Sequence, residues 1–127
     1  MTKSTLEHAN ITVSDPQATA AWLGRVFGWH TRWQGEAKDN GYTVHVGTDN
    51  AYLAVYAARV TRKPASGART APGGLNHVGI VVDDLDETEK RVIAEGFKPM
   101  NHADYEPGRR FYFDDHDGIE FEVVSYG

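Results

Sequence analysis

Residues 6 to 13, LEHANITV, alternate along the chain: Ala9, Ile11 and Val13 are apolar, and His8, Asn10 and Thr12 fall between them. A period of two predicts a strand that buries one set and turns the other away. "SDPQ" follows, with Ser14 or Asp15 as a helix cap and Pro16 in the first turn, where a missing N–H costs nothing. Ala18, Ala21, Trp22, Arg25 and Val26 then recur at helical spacing, and Gly28 stands where the helix needs a left-handed residue to end. Three short strands are expected next, over 29–34, 42–46 and 51–56, separated by the turn chemistry of "KDNG" and "GTDN". The unit reads βαβββ.

The same order returns from Leu75. A strand over 76–82 leads to Asp83 or Asp84 as a cap with Glu87 behind it, and Gly96 closes the helix. Strands are expected over 97–101, 109–114 and 119–124. His8 precedes Gly28 by 20 residues and His77 precedes Gly96 by 19, so the copies keep step. The Pro-, Gly-, Ala- and Ser-rich stretch over 59–74 reads as a linker, with its Lys and Arg residues solvated. We therefore expect a single domain over 1–127: module one over 5–58, the linker, and module two over 75–127. Two units are too few for a solenoid and imply a pseudo-twofold pair.

Composition narrows the partners. The 127 residues carry 18 acidic and 13 basic side chains, a balance that disfavours nucleic acid. No apolar run approaches bilayer length, and the first ten residues lack a signal-peptide core. With no cysteine, disulfides and thiolate metal sites are excluded, and a soluble cytoplasmic protein is the simplest expectation.

The alternation also selects candidate chemistry. In both opening strands the histidine lies opposite the helix-packing residues. In the closing strand "DGIEFEVVSY", Ile119, Phe121 and Val123 share one face, and Glu120 and Glu122 take the other. His8, His77 and Glu122 thus form a candidate set of two imidazoles and a carboxylate, suited to Fe(II), Mn(II), Zn(II) or Ni(II). Glu120 has no repeat partner and reads as a solvated rim carboxylate. His45 shares the parity of Phe113 and is expected to face the helix layer or an interface. His30 and His116 read as surface residues, and Trp22, Trp29 and Trp33 as core and sheet packing.

The duplicated unit, the H-x-x-x-x-V-x-D openings "HANITVSD" and "HVGIVVDD", and the ending "DHDGIEFE" resemble the vicinal oxygen chelate superfamily. That group includes glyoxalase I, fosfomycin- and bleomycin-resistance proteins, methylmalonyl-CoA epimerases and extradiol dioxygenases. The resemblance implies an α+β fold in which two tandem βαβββ modules form a curled mixed β-sheet cleft with helices outside. It also implies a macromolecular partner, a second copy of the chain in a homodimer. His8 and His77 match the family's first-strand ligands, and Glu122 its last-strand carboxylate. Superposing "TDNAYLAVY" on "HDGIEFEVV" sets Ala54 at the fourth ligand position, which argues against glyoxalase I and the epimerases.

Tyr112, ten residues before Glu122, also resembles the fosfomycin enzymes and the dioxygenases. With Arg110 at the same parity, it is expected to hold a substrate oxygen, Tyr112 in a catalytic role and Arg110 in anion binding. Asn10, on the face of His8, is a further expected substrate contact, and His102 an expected acid or base. The implied function is a divalent-metal-dependent enzyme acting on a small oxygen-bearing molecule, with dioxygenase, lyase/isomerase and transferase chemistries open. The alternative is a metal-free sequestration protein of the bleomycin-resistance type.

Overall fold

The computed structural model describes residues 2–60, 62 and 68–127. The chain divides into two compact units, Met1–Arg62 and Lys63–Gly127. Each is a four-stranded mixed sheet with one helix, and the whole is α+β. No helix among the described residues is long and apolar enough to cross a membrane. Of the linker expected over 59–74, Thr61 and residues 63–67 lie outside the described residues.

In the first unit, β1 (His8–Thr12) leads through α1 (Pro16–Phe27) to β2 (His30–Ala37), β3 (Gly41–Gly47) and β4 (Tyr52–Ala57). The sheet order is β1-β4-β3-β2, with β1 parallel to β4 and the other pairs antiparallel. Asp15 caps α1 by accepting from the Ala18 N–H at 3.2 Å, and Gly28 ends it at φ 74°, a conformation costly for a side chain. β2 runs three residues beyond the expected strand because Asp39 (φ 58°) and Asn40 (φ 51°) make a turn whose twist matches the hairpin. Ile11, Val44, Val46, Leu53 and Val55 bury the sheet's helix side against Trp22, Leu23 and Val26.

The second unit repeats the plan. β5 (Val78–Val81), α2 (Leu85–Ala94), β6 (Met100–Tyr105), β7 (Gly108–Asp114) and β8 (Glu120–Ser125) form a sheet in the order β5-β8-β7-β6. Asp84 is the α2 cap, accepting from the Glu87 N–H at 3.0 Å. β6 starts after Pro99, which has no N–H for the ladder, rather than at Phe97. Phe111, Phe113, Phe121 and Val123 are fully buried on the helix side, where Val92 is also buried.

The β7–β8 turn explains the "DHDG" of the sequence motif. Asp115 Oδ1 accepts from the N–H groups of Asp117 and Ile119, both at 2.9 Å, and Gly118 takes φ 78°. The turn thereby sets which side of β8 each glutamate faces. Burial pushes the Asp115 carboxyl above its ordinary pKa, against the two backbone N–H bonds, and Oδ2 is buried without a partner. A raised folded-state pKa makes the folded protein bind the proton first. Asp115 therefore contributes stability that increases as pH falls from the raised value to the ordinary one. Asp115→Asn keeps the Oδ1 acceptor and should remove that contribution. Urea unfolding at several acidic pH values checks this: the stability difference between wild type and variant should shift toward wild type as pH falls.

Candidate metal centre

On the open side of the second sheet, strand register places Gly79, Glu122, Tyr112 and Met100 in one cross-strand row. His77, two residues before Gly79, rises from the same face. Its Nε2 stands 2.9 Å from Glu122 Oε1, and its Nδ1 meets the Asn76 side-chain oxygen at 2.8 Å. A direct bond to Glu122 needs Nε2–H as the donor; with a cation in its place, Nδ1–H donated to Asn76 would leave Nε2 the lone pair that the cation needs. Glu122 Oε2 accepts from Arg110 at 2.7 Å, and the two side chains are only 12% and 11% exposed. Burial works against the Arg110 charge, but its hydrogen bond to Glu122, followed by the influence of Tyr105 and the Glu122 charge, outweighs that and raises its pKa above the ordinary arginine value. The Tyr112 ring meets His77 edge-on, with centroids 5.9 Å apart.

The donor set passes an elementary geometric test. Two ligands about 2.0–2.2 Å from one ion, at right angles, stand about 3 Å apart. The His77–Glu122 separation of 2.9 Å meets that spacing, and Arg110 leaves one carboxylate oxygen free for it. Among the described residues, no group of three or more His, Asp or Glu side chains is placed to hold a metal ion. In the first unit His8 repeats the local arrangement of His77: its Nδ1 meets Glu7 Oε1 at 2.8 Å. Both histidines thus have Nδ1 engaged by the preceding residue.

A sequence model of the Glyoxalase/Bleomycin resistance protein/Dioxygenase superfamily matches residues 5–123. The chain belongs to that superfamily. No curated protein matches it by sequence. Among solved structures it is similar to a glyoxylase/bleomycin resistance protein/dioxygenase domain from Frankia sp. EAN1pec, at 20% identity and a TM-score of 0.83, covering 99% of this chain and 94% of that one. The fosfomycin resistance protein FosX from Listeria monocytogenes, complexed with Mn(II) and sulfate, is 20% identical with a TM-score of 0.72, covering 98% and 93%. FosX from Mesorhizobium loti gives 20% and 0.70, covering 97% and 92%. At these identities the likeness is one of fold.

Within this superfamily fold, several sequence expectations need correcting. His102, expected as an acid or base, lies on the helix side of its sheet. Its Nε2 pairs with Glu89 of α2 at 2.9 Å, and its ring stacks near buried Phe111. The register shift between Met100 and Ala103 turns it that way. Glu120 is no solvated rim group; its side chain is 10% exposed and pairs with Arg69, which is therefore not merely solvated. Arg110, expected to face a substrate anion, donates to Glu122 and the Gly108 carbonyl.

The largest omission is in the first unit. Register sets Asn10, Ala54, His45 and Trp33 in one row, the counterpart of Gly79, Glu122, Tyr112 and Met100. Ala54 thus occupies the place of Glu122, as the repeat superposition implies. His45 is the counterpart of Tyr112 rather than Phe113, so it faces away from α1, on the side of His8. Burial, followed by the charges of His8 and Arg32, lowers its pKa against the opposing effect of Glu7, which favours the neutral ring. Trp33, expected in core and sheet packing, lies on the sheet beside His45 and is 54% exposed. Counting alternation back from "LAVY" across the hairpin would have found both.

Proposed function

We propose that the protein is a divalent-metal-dependent enzyme of the vicinal oxygen chelate type, acting as a homodimer on a small oxygen-bearing molecule. His77 Nε2 and Glu122 Oε1 would hold the ion, Fe(II), Mn(II), Zn(II) or Ni(II), with His8 as the third ligand. The observation that carries this reading is the 2.9 Å pairing of His77 with a carboxylate whose other oxygen Arg110 already holds. The superfamily membership and the Mn(II) in the Listeria FosX complex support it. When bound, the ion supplies Lewis acidity toward substrate oxygens.

The chain's own residues take the remaining roles. Arg110 fixes Glu122 so that a single oxygen faces the ion, and Asn76 fixes the His77 ring. Asn10 offers its side-chain amide to the substrate. The Tyr112 side chain, whose ring meets His77 edge-on, would supply its hydroxyl as the proton donor. Tyr112→Phe should keep the fold and lower turnover by about 10²–10⁴-fold, the usual contribution of a positioned proton donor. Turnover measured beside a thermal melt checks that expectation. The function itself is tested by the metal content of protein purified without chelator or affinity tag. About one divalent ion per chain supports an enzyme, and metal-free protein that still binds small molecules supports the sequestration reading.

A further inference from the structure

The first unit's open face carries a second feature, of which the metal reading uses only His8. Four rings run in sequence across it: Trp33 to His45 at 5.2 Å between centroids, His45 to Tyr52 at 4.7 Å, and Tyr52 to His8 at 4.8 Å. The last two contacts are near-parallel stacks, with interplanar angles of 24° and 14°. The Arg32 guanidinium lies 4.4 Å from the Tyr52 centroid, at the bulge where β2 shifts register between Thr31 and Trp33. Arg32 and Trp33 are both exposed, and no ion pair joins Arg32 to a carboxylate among the described residues.

Comparison of the two units shows how far this face has diverged. Tyr52 and Ala54 stand where the second sheet has Glu120 and Glu122. One copy presents carboxylates answered by Arg69 and Arg110; the other presents rings beside Arg32, which pairs with no carboxylate among the described residues. An exposed indole offers a flat apolar surface, and a guanidinium offers a planar donor fork for a carboxylate. We infer that Arg32, Trp33, His45 and Tyr52 form a binding site for a small aromatic carboxylate, its ring against the Trp33–His45 end and its carboxylate on Arg32. The site does not depend on a metal ion.

The test is an NMR titration of metal-stripped protein with 2-naphthoate, following the Trp33 indole N–H, assigned through its loss in Trp33→Phe. The expected result is a saturable shift of that signal. Naphthalene-2-carboxamide and cyclohexanecarboxylate, which lack the charge or the aromatic ring, should each bind at least about tenfold more weakly. Arg32→Gln and Trp33→Ala, both at exposed positions, should also weaken 2-naphthoate by about tenfold or more, while Arg32→Lys restores part of the loss to Arg32→Gln. The inference is overturned if 2-naphthoate leaves the Trp33 signal unmoved, or binds Arg32→Gln or Trp33→Ala as it binds wild type. Because metal is absent throughout, failure here leaves the metal-centre reading untouched, and failure of that reading leaves this one standing.

Discussion

Glu122→Gln should leave a folded protein that no longer binds divalent metal. Glutamine matches glutamate in shape, so β8 keeps its packing. The neutral amide cannot supply the anionic oxygen that stands 2.9 Å from His77 Nε2, and it replaces the carboxylate that answers Arg110. The loss of affinity should exceed the roughly 10–100-fold typical of removing an outer partner of a metal ligand. Arg110→Gln, which removes such a partner, should fall within that smaller range. Glu120→Gln on the same strand face should leave metal affinity nearly unchanged, because Glu120 pairs with Arg69. Calorimetric titration with Mn(II) or Zn(II) distinguishes the three variants. Equal losses in Glu120→Gln and Glu122→Gln would point to general charge attraction instead of a ligand.

The second large effect lies on the other side of the same sheet. Phe113 is fully buried, stacked at 5.6 Å on Phe97 and 5.3 Å on Phe121, with Phe111 at 6.4 Å. Phe113→Ala should destabilise the second unit by about 3–5 kcal/mol, the combined cost of lost burial and a cavity. That is a large share of the 5–15 kcal/mol typical of whole proteins. The consequence reaches the site, because Phe113 and Phe121 are cross-strand partners one residue from Tyr112 and Glu122. Holding the phenylalanines inward holds the tyrosine and glutamate outward. Urea unfolding monitored separately on signals from each unit should show the second unit losing stability most; a midpoint unchanged from wild type would refute the packing argument.

Much of this was legible because alternation in a strand is a strict rule. Once Phe121 and Val123 are inward, Glu122 must be outward, and the same parity recovers His8, His77, Arg110 and Tyr112. The aspartate caps and Gly28 were equally readable, since few residues satisfy a helix end. What the pattern could not supply was pairing across strands. Alternation says which way Glu122 points, but only the register shows it opposite Tyr112 and within reach of Arg110. His45 was misplaced by one residue in the repeat comparison, and one residue reverses the face. His102, just beyond the strand expected over 97–101, sits within β6, where a register shift turns it to the helix side. Glu120 looked solvated because its partner, Arg69, lies far along the chain, in a stretch whose composition suggests a linker.

The most direct test of the metal centre is anomalous scattering from crystals grown with Mn(II) or Zn(II). One strong peak per chain is expected, about 2.0–2.2 Å from His77 Nε2 and Glu122 Oε1, with His8 Nε2 completing the set. A structure at saturating metal with no peak there, and with His77 still bonded directly to Glu122, would contradict it.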